Sequence, residues 1–239
     1  MELPKPLAPG RLVRRYKRFL ADVALDESGE VVTAHCPNPG AMMGVAPEGA
    51  PVWLSRHDHP SRKLKYTWRL VDVDGGLVGI DTSAPNKIAE EAIAGGRVAE
   101  LQGYAELKRE VKYGKNSRID ILLSDPERAP CYVEVKNVHL MRSLGLAEFP
   151  DCVTARGAKH LEELGDMAEA GARAVMLFVV QRADCRRFSL AGDIDPKYAE
   201  AFARAVKRGV EAICYDCALS EDAIVLRRAL PIDVKEGAA

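Results

Sequence analysis

The sequence has almost no net charge: 34 lysines and arginines stand against 35 aspartates and glutamates, leaving a formal −1. Whole-chain charge therefore points to no partner. Long hydrophobic runs are also missing. The longest, Ala174 to Val180, is far too short to cross a bilayer, and the opening MELPKPLAPG has no apolar secretory core, so a cytoplasmic location is the default expectation. The six cysteines (36, 131, 152, 185, 214 and 217) are too scattered for a disulfide framework. Cys214 and Cys217 form a CxxC, but no second pair completes a four-thiolate zinc site. Their segment VEAICYDCAL reads as a strand, on which positions three apart face opposite ways. There are no internal repeats, no low-complexity tract and no heptad pattern to suggest a partner helix. What is present is ordinary: 239 residues, 47% of them hydrophobic, make a soluble globular chain with room for two modest cores.

From Phe19 to about Ile80 the pattern is one of short strands, FLADVAL, EVVTAH, APVWLS and KLKYTWRLVDV, separated by Gly and Pro with no helical stretch. This predicts a small β-barrel. In its last strand, period two puts Leu64, Tyr66, Trp68 and Leu70 on one face and Lys63, Lys65, Thr67 and Arg69 on the other. The basic face is either a solvated surface or a groove tracking a phosphate backbone, as in oligonucleotide-binding (OB) barrels. Upstream, RLVRRYKRF offers Arg14, Arg15, Lys17 and Arg18 for phosphates and Tyr16 for base stacking, or else a charged strand edge. In HCPNPGAM, His35 and Cys36 are adjacent and face apart on a strand, so a turn is the plainer account, with Asn38 a candidate nucleic-acid contact. His57 and His59 fall in a solvated loop.

Thr82 or Ser83 is placed to cap a helix that Pro85 opens and Gly95-Gly96 ends, with Ile88, Ala92 and Ile93 as its apolar stripe. The domain boundary is expected just before it, giving residues 1–81 and 82–239. The second part reads strand, strand, strand, helix, strand, helix, strand, strand, which implies an α/β (α+β) mixed sheet with packed helices. Within it AVMLFVV is the expected central strand, buried on both faces.

The stretch RIDILLSDPERAPCYVEVKN holds the chemistry. Glu134 and Lys136 are two apart and share a strand face. With residues 124 to 130 as the connection, Leu123 lies opposite Cys131 and Asp120 opposite Glu134, the carboxylates within about 5 Å. Two carboxylates side by side need a positive neighbour, and magnesium is held by such oxygens together with water and phosphate. A metal there would activate water, with Lys136 placed for the nucleophile or phosphate charge. The plain alternative is a surface hairpin in which Lys136 merely pairs with an acid. Context adds a helix carrying Glu90 and Glu91, and a helix start carrying Arg156, Lys159 and His160, the first and last sharing a face.

The strand with an acid and a lysine two apart, below an upstream aspartate, resembles the PD-(D/E)xK nuclease core. The chain as a whole resembles the sugar fermentation stimulation protein family, from LVRRYKRFLADV, VTAHCPNPGAM and RKLKYTW through SRIDILL and YVEVKNVHL to FPDCVTARGAKHLEEL and IDPKYAEAF. The resemblance implies a DNA-binding protein with an OB-like N-terminal barrel and a nuclease-like C-terminal domain. It implies Asp120, Glu134 and Lys136 as the metal and catalytic set, with Mg2+ or Mn2+, and Glu91 as a helix-borne acid. Where the family pattern has Asn-Thr at the junction, this chain has Asp81-Thr82. Three functions stay open: metal-dependent phosphodiester hydrolysis, a non-catalytic DNA-binding regulator of sugar (maltose) metabolism genes, and a small-molecule phosphohydrolase.

Overall fold

The computed structural model describes residues 1–114 and 117–233. Six strands come first: β1 (Leu7–Tyr16), β2 (Leu20–Leu25), β3 (Val31–His35), β4 (Pro51–Arg56), β5 (Tyr66–Val73) and β6 (Gly76–Gly79). They are ordered β3-β2-β1-β4-β5-β6, and β3 returns to pair with β5 in parallel (Ala34 with Tyr66, His35 with Thr67), which closes five strands into a barrel. Leu12, Val23, Ala34, Val52, Leu54 and Trp68 fill it. This is the expected OB-type barrel.

Two features depart from the sequence expectation. RLVRRYKR is not a bare edge but the end of β1, which pairs with β4 over Leu7–Arg11 and with β2 over Gly10–Tyr16. Pro9 and the run of basic residues mask its alternation. The strand changes partners at Gly10, where a β-carbon would stand 2.6 Å from the Ala24 carbonyl oxygen, so only glycine fits the approach. In β5 a bulge at Arg69 sets Trp68 opposite Leu54 and Leu70 opposite Trp53. Trp68 enters the barrel, whereas Leu70 turns out and packs into the core of the second domain. The single apolar face expected for this strand is therefore split between two cores.

The second domain contains α1 (Ala84–Ala94), β7 (Glu106–Tyr113), β8 (Ser117–Asp125), β9 (Arg128–Val138), β10 (Leu140–Ser143), β11 (Leu146–Phe149) and α2 (Ala155–Glu169). These are followed by β12 (Arg173–Val180), β13 (Arg187–Leu190), α3 (Pro196–Lys207), β14 (Glu211–Leu219), β15 (Ile224–Ala229) and β16 (Ile232–Asp233). The main sheet runs β15-β14-β12-β9-β8-β7, with β9, β12 and β14 parallel and both flanks antiparallel. Along central β12, Val175, Leu177 and Val179 pack on the α1 side, and Met176, Phe178 and Val180 on the α2–α3 side. Cys214 and Cys217 fall into opposite cores in the same way, which excludes a shared metal. A small second sheet, β10-β11-β13-β16, was not expected, because strands of four residues or fewer carry no usable periodicity.

The domains are joined tightly. The amide of Gly79 donates to the carbonyl of Gln181 at 2.9 Å, and the Gln181 side chain donates to the carbonyl of Asp81 and to Asn137 Oδ1. Asp81 accepts from Arg69 at 2.6 Å and from the Ser83 amide and hydroxyl, so this junction acid is neutralised by an arginine. Among the described residues, no helix is long and apolar enough to cross a membrane.

Candidate active site

The β8–β9 hairpin turns at Pro126-Glu127, with Asp125 opposite Arg128, so the strands run further than expected. Leu123 pairs with Cys131 as expected, and the ladder stays regular as far as Ile121 with Val133. It breaks at Asp120. Glu110, the β7 residue across from it, has φ +52°, and Ile119 packs in the α2-side core whereas Ile121 packs in the α1-side core. Period two would keep those isoleucines together, so the strand rotates at Asp120.

That rotation fixes the aspartate. Oδ2 accepts the Val135 amide at 2.8 Å, and Oδ1 accepts from Asn86 of α1 at 2.6 Å. The carboxylate is thus a bridge between the backbone of β9 and a helix rather than a plain cross-strand neighbour of Glu134. Burial, then the charge of Glu134, push the Asp120 carboxyl above its ordinary value.

Glu134 is only 2% exposed. Lys136 Nζ donates to its Oε1 at 2.8 Å, and His160 Nδ1 makes a very short contact with the same oxygen. Glu134 Oε2 has no hydrogen-bond partner among the described residues. Burial acts to raise the Glu134 pKa, but the hydrogen bond from His160 and the charge of Lys136 outweigh it and hold the carboxyl below its ordinary value. His160 comes from the first turns of α2, whose N-cap Thr154 accepts the Gly157 amide.

These donors suit a divalent cation in kind: two hard-oxygen carboxylates, Glu134 buried with an oxygen unsatisfied and Asp120 half-buried, whose mutual repulsion a cation would relieve. Asp120 and Glu134 are the side chains that would hold it. Among the described residues no three His, Cys, Asp or Glu side chains are gathered for a metal, so a bound cation would need water and substrate oxygens besides these two carboxylates.

A cavity of about 370 Å³ lies beside this group, lined by Glu110, Ser117, Arg118, Arg156, Lys159 and His160. Arg118 was missed in sequence; its place two residues before Asp120 in SRID was the available signal. Lys159 stands 3.4 Å from Ser117 Oγ and 3.5 Å from Glu163, while Arg156 Nε donates to His160 Nε2 at 3.2 Å. Arg156 and Lys159 thus line the cavity. His160 is buried and bonded to Glu134, so its ring serves the carboxylate rather than a phosphate backbone.

Other expected residues are placed elsewhere. Glu91 pairs with the Met1 amine at 2.6 Å, and Glu90 pairs with Arg109, so α1 reaches Asp120 through Asn86 instead. Asn38 is fully buried, spending its amide on the Ile80 carbonyl and the Gly40 amide, which corrects the nucleic-acid role expected of it. Arg15 is likewise engaged, donating to the carbonyls of Arg18, Asn38 and Gly40. Arg14 bonds Asp22 and lies over the Tyr16 ring at 4.8 Å, and Tyr16 also bonds Asp22. Lys17 and Arg18 are exposed at the β1–β2 turn, and Arg18 lines a second cavity of about 300 Å³ between the domains. Lys63 and Lys65 are exposed in the loop before β5, not on the strand itself.

Comparison with known proteins agrees with this architecture. Residues 13–80 match the model of the SfsA N-terminal OB domain, and residues 83–223 match that of the sugar fermentation stimulation protein RE domain. The sugar fermentation stimulation protein homolog of Rhodospirillum centenum is 59% identical over 230 residues, covering 96% of this chain and 98% of that one. Its counterpart in Rhizobium meliloti is 56% identical over 233 residues, covering 98% and 97%. A solved structure of Pyrococcus furiosus SfsA in complex with Ca2+ superposes with a TM-score of 0.86 at 29% identity, covering 98% of both chains. With both of its domains matched in order and relatives aligned over nearly their full length, the chain belongs to the sugar fermentation stimulation protein family.

Proposed function

We propose that the protein binds nucleic acid, DNA above all, and hydrolyses its phosphodiester bonds at Asp120, Glu134 and Lys136 with Mg2+ or Mn2+. The observation that carries this reading is the buried Glu134 carboxylate, with Oε2 unpartnered, beside Asp120 and next to a cavity edged by Arg118, Arg156 and Lys159. Three cations around one opening suit a phosphate backbone, and an OB barrel on the same chain suits an extended strand. The Ca2+ in the Pyrococcus protein supports divalent-cation binding by this scaffold.

When bound, such a cation lowers the pKa of a coordinated water and offsets charge on the scissile phosphate. The chain's own residues do the rest. Asp120 is held rigid by Asn86 and the Val135 amide, so its remaining lone pairs point in a fixed direction. Lys136 is tied to Glu134; once that carboxylate is neutralised, the ammonium is free to meet the phosphate or orient the attacking water. The tie of Lys136 and His160 to Glu134 is also what a non-catalytic DNA-binding regulator would retain, so turnover decides between these readings.

The test is incubation of wild type, Asp120→Asn and Glu134→Gln with labelled single- and double-stranded DNA and RNA, in Mg2+, Mn2+ or EDTA. Metal-dependent cutting lost in both variants is the expected result. Binding without cutting in every condition leaves the regulator. A small-molecule phosphohydrolase would show no polynucleotide affinity that falls steeply with salt.

A further inference from the structure

The sequence places His160 among residues that face nucleic acid, but its ring is turned inward. It is 6% exposed, with Nδ1 on Glu134 Oε1 and Nε2 accepting from Arg156 Nε at 3.2 Å. A ring nitrogen that accepts a hydrogen bond carries its lone pair, so the neutral ring has its proton on Nδ1. That proton faces the glutamate. Lys136 Nζ stands 3.4 Å from the same ring nitrogen and shares Oε1 as acceptor. Both donors therefore converge on one carboxylate oxygen and leave the other, Oε2, without a partner.

We propose that His160 is a positioning residue for divalent-cation binding, with Arg156 setting its tautomer: Nδ1–H clamps Glu134 Oε1 so that Oε2 is presented to the ion. This deepens the metal-dependent reading above and rests on it. The arrangement mirrors the outer-shell partners of metal ligands, which fix a ligand's orientation without touching the ion. Neither residue is far from the cavity, so the same two side chains link its basic wall to the ligand carboxylate.

The experiment is calorimetric titration of the whole protein with Mn2+ alone, in wild type, His160→Ala, His160→Asn and Arg156→Leu, each with a thermal melt to establish folding. Asparagine places an amide nitrogen where Nδ1 stands, so it restores the donor without the ring. Expected are a Kd about 10- to 100-fold weaker for His160→Ala, recovery of most of that loss in His160→Asn, and a several-fold weakening in Arg156→Leu. Unchanged or tighter binding in a folded His160→Ala overturns the positioning role and leaves the nuclease reading standing. Equal weakening in the Ala and Asn variants also overturns it, because the hydrogen bond is then not what matters. Should His160→Ala fail to fold, Arg156→Leu decides, and an unchanged Kd there overturns the proposal. A wild type that takes up no Mn2+ overturns both readings.

Discussion

Asp120 and Glu134 are carboxylates kept close together, Glu134 buried and Asp120 half-buried, and they differ in sign: His160 and Lys136 favour the charged form of Glu134, whereas burial disfavours that of Asp120. For Asp120 the sign is definite. Its folded pKa is raised, so the fold favours the protonated form; the contribution of this one group to stability is fully present below its unfolded pKa and is lost as pH rises through the raised value. Asp120→Asn removes that liability, and the Asn86 amide can turn to accept from the new amide. Without metal the variant should therefore melt about 2–4 °C higher at neutral pH, about 1 kcal/mol for a chain of this size. Added Mn2+ should raise the wild-type melting temperature and leave the variant unmoved. Catalysis should move the opposite way, with kcat for phosphodiester cutting falling by about 10³-fold or more in Asp120→Asn and Glu134→Gln. A variant that cuts as fast as wild type would remove these two residues from the chemistry.

At the scale of elements, α2 matters because its first turns carry Arg156 and His160 to the β9 carboxylate. Thr154 caps it, accepting the Gly157 amide at 3.1 Å. Thr154→Ala should cost about 1 kcal/mol in denaturant unfolding and Thr154→Ser almost nothing. A second element, the link from β11 to α2, ties the domains together through Asp151. Its Oδ2 accepts the Met42 amide at 3.0 Å and stands 3.4 Å from His139 Nε2. Gly40 permits that approach, since a β-carbon there would stand 2.6 Å from the same oxygen. Burial acts to raise the Asp151 pKa, but His139 and the Met42 amide outweigh it and lower the carboxyl to about 2. A depressed aspartate contributes stability above its unfolded value of about 3.9, lost as pH falls toward the folded one. An acid melt should therefore show about 1–2 kcal/mol disappearing between roughly pH 4 and pH 2 in wild type. Asp151→Asn should lack that component.

For the whole molecule the question is how a chain of almost no net charge would meet the polyanion proposed for it. Its cations are unevenly used. Arg14, Arg15 and Arg69 are engaged in internal hydrogen bonds, whereas Lys17, Lys63 and Lys65 stand exposed on the barrel and Arg118, Arg156 and Lys159 surround the site cavity. Lys63→Ala with Lys65→Ala should weaken DNA binding across all sequences and reduce the slope of log K against log salt by about two. An unchanged slope would move the interface off this part of the barrel.

Much of this architecture follows from local pattern alone. Alternation in LADVAL and VVTAH, the apolar run of β12 and the Pro and Gly that bracket α1 each act over a few residues, so barrel, central strand and helices were legible. So was the pairing of Leu123 with Cys131, because a hairpin is a short-range object. Tertiary structure decided the rest. The bulge at Arg69 sends Leu70 into the other domain's core, and the rotation at Asp120 turns a cross-strand neighbour into a bridge to Asn86. The burial of Asn38 and the inward ring of His160 depend on chain brought from 42 and 26 residues away. Residue type and spacing determine which groups are available for chemistry, while the orientation of each is set by long-range packing that no local period records.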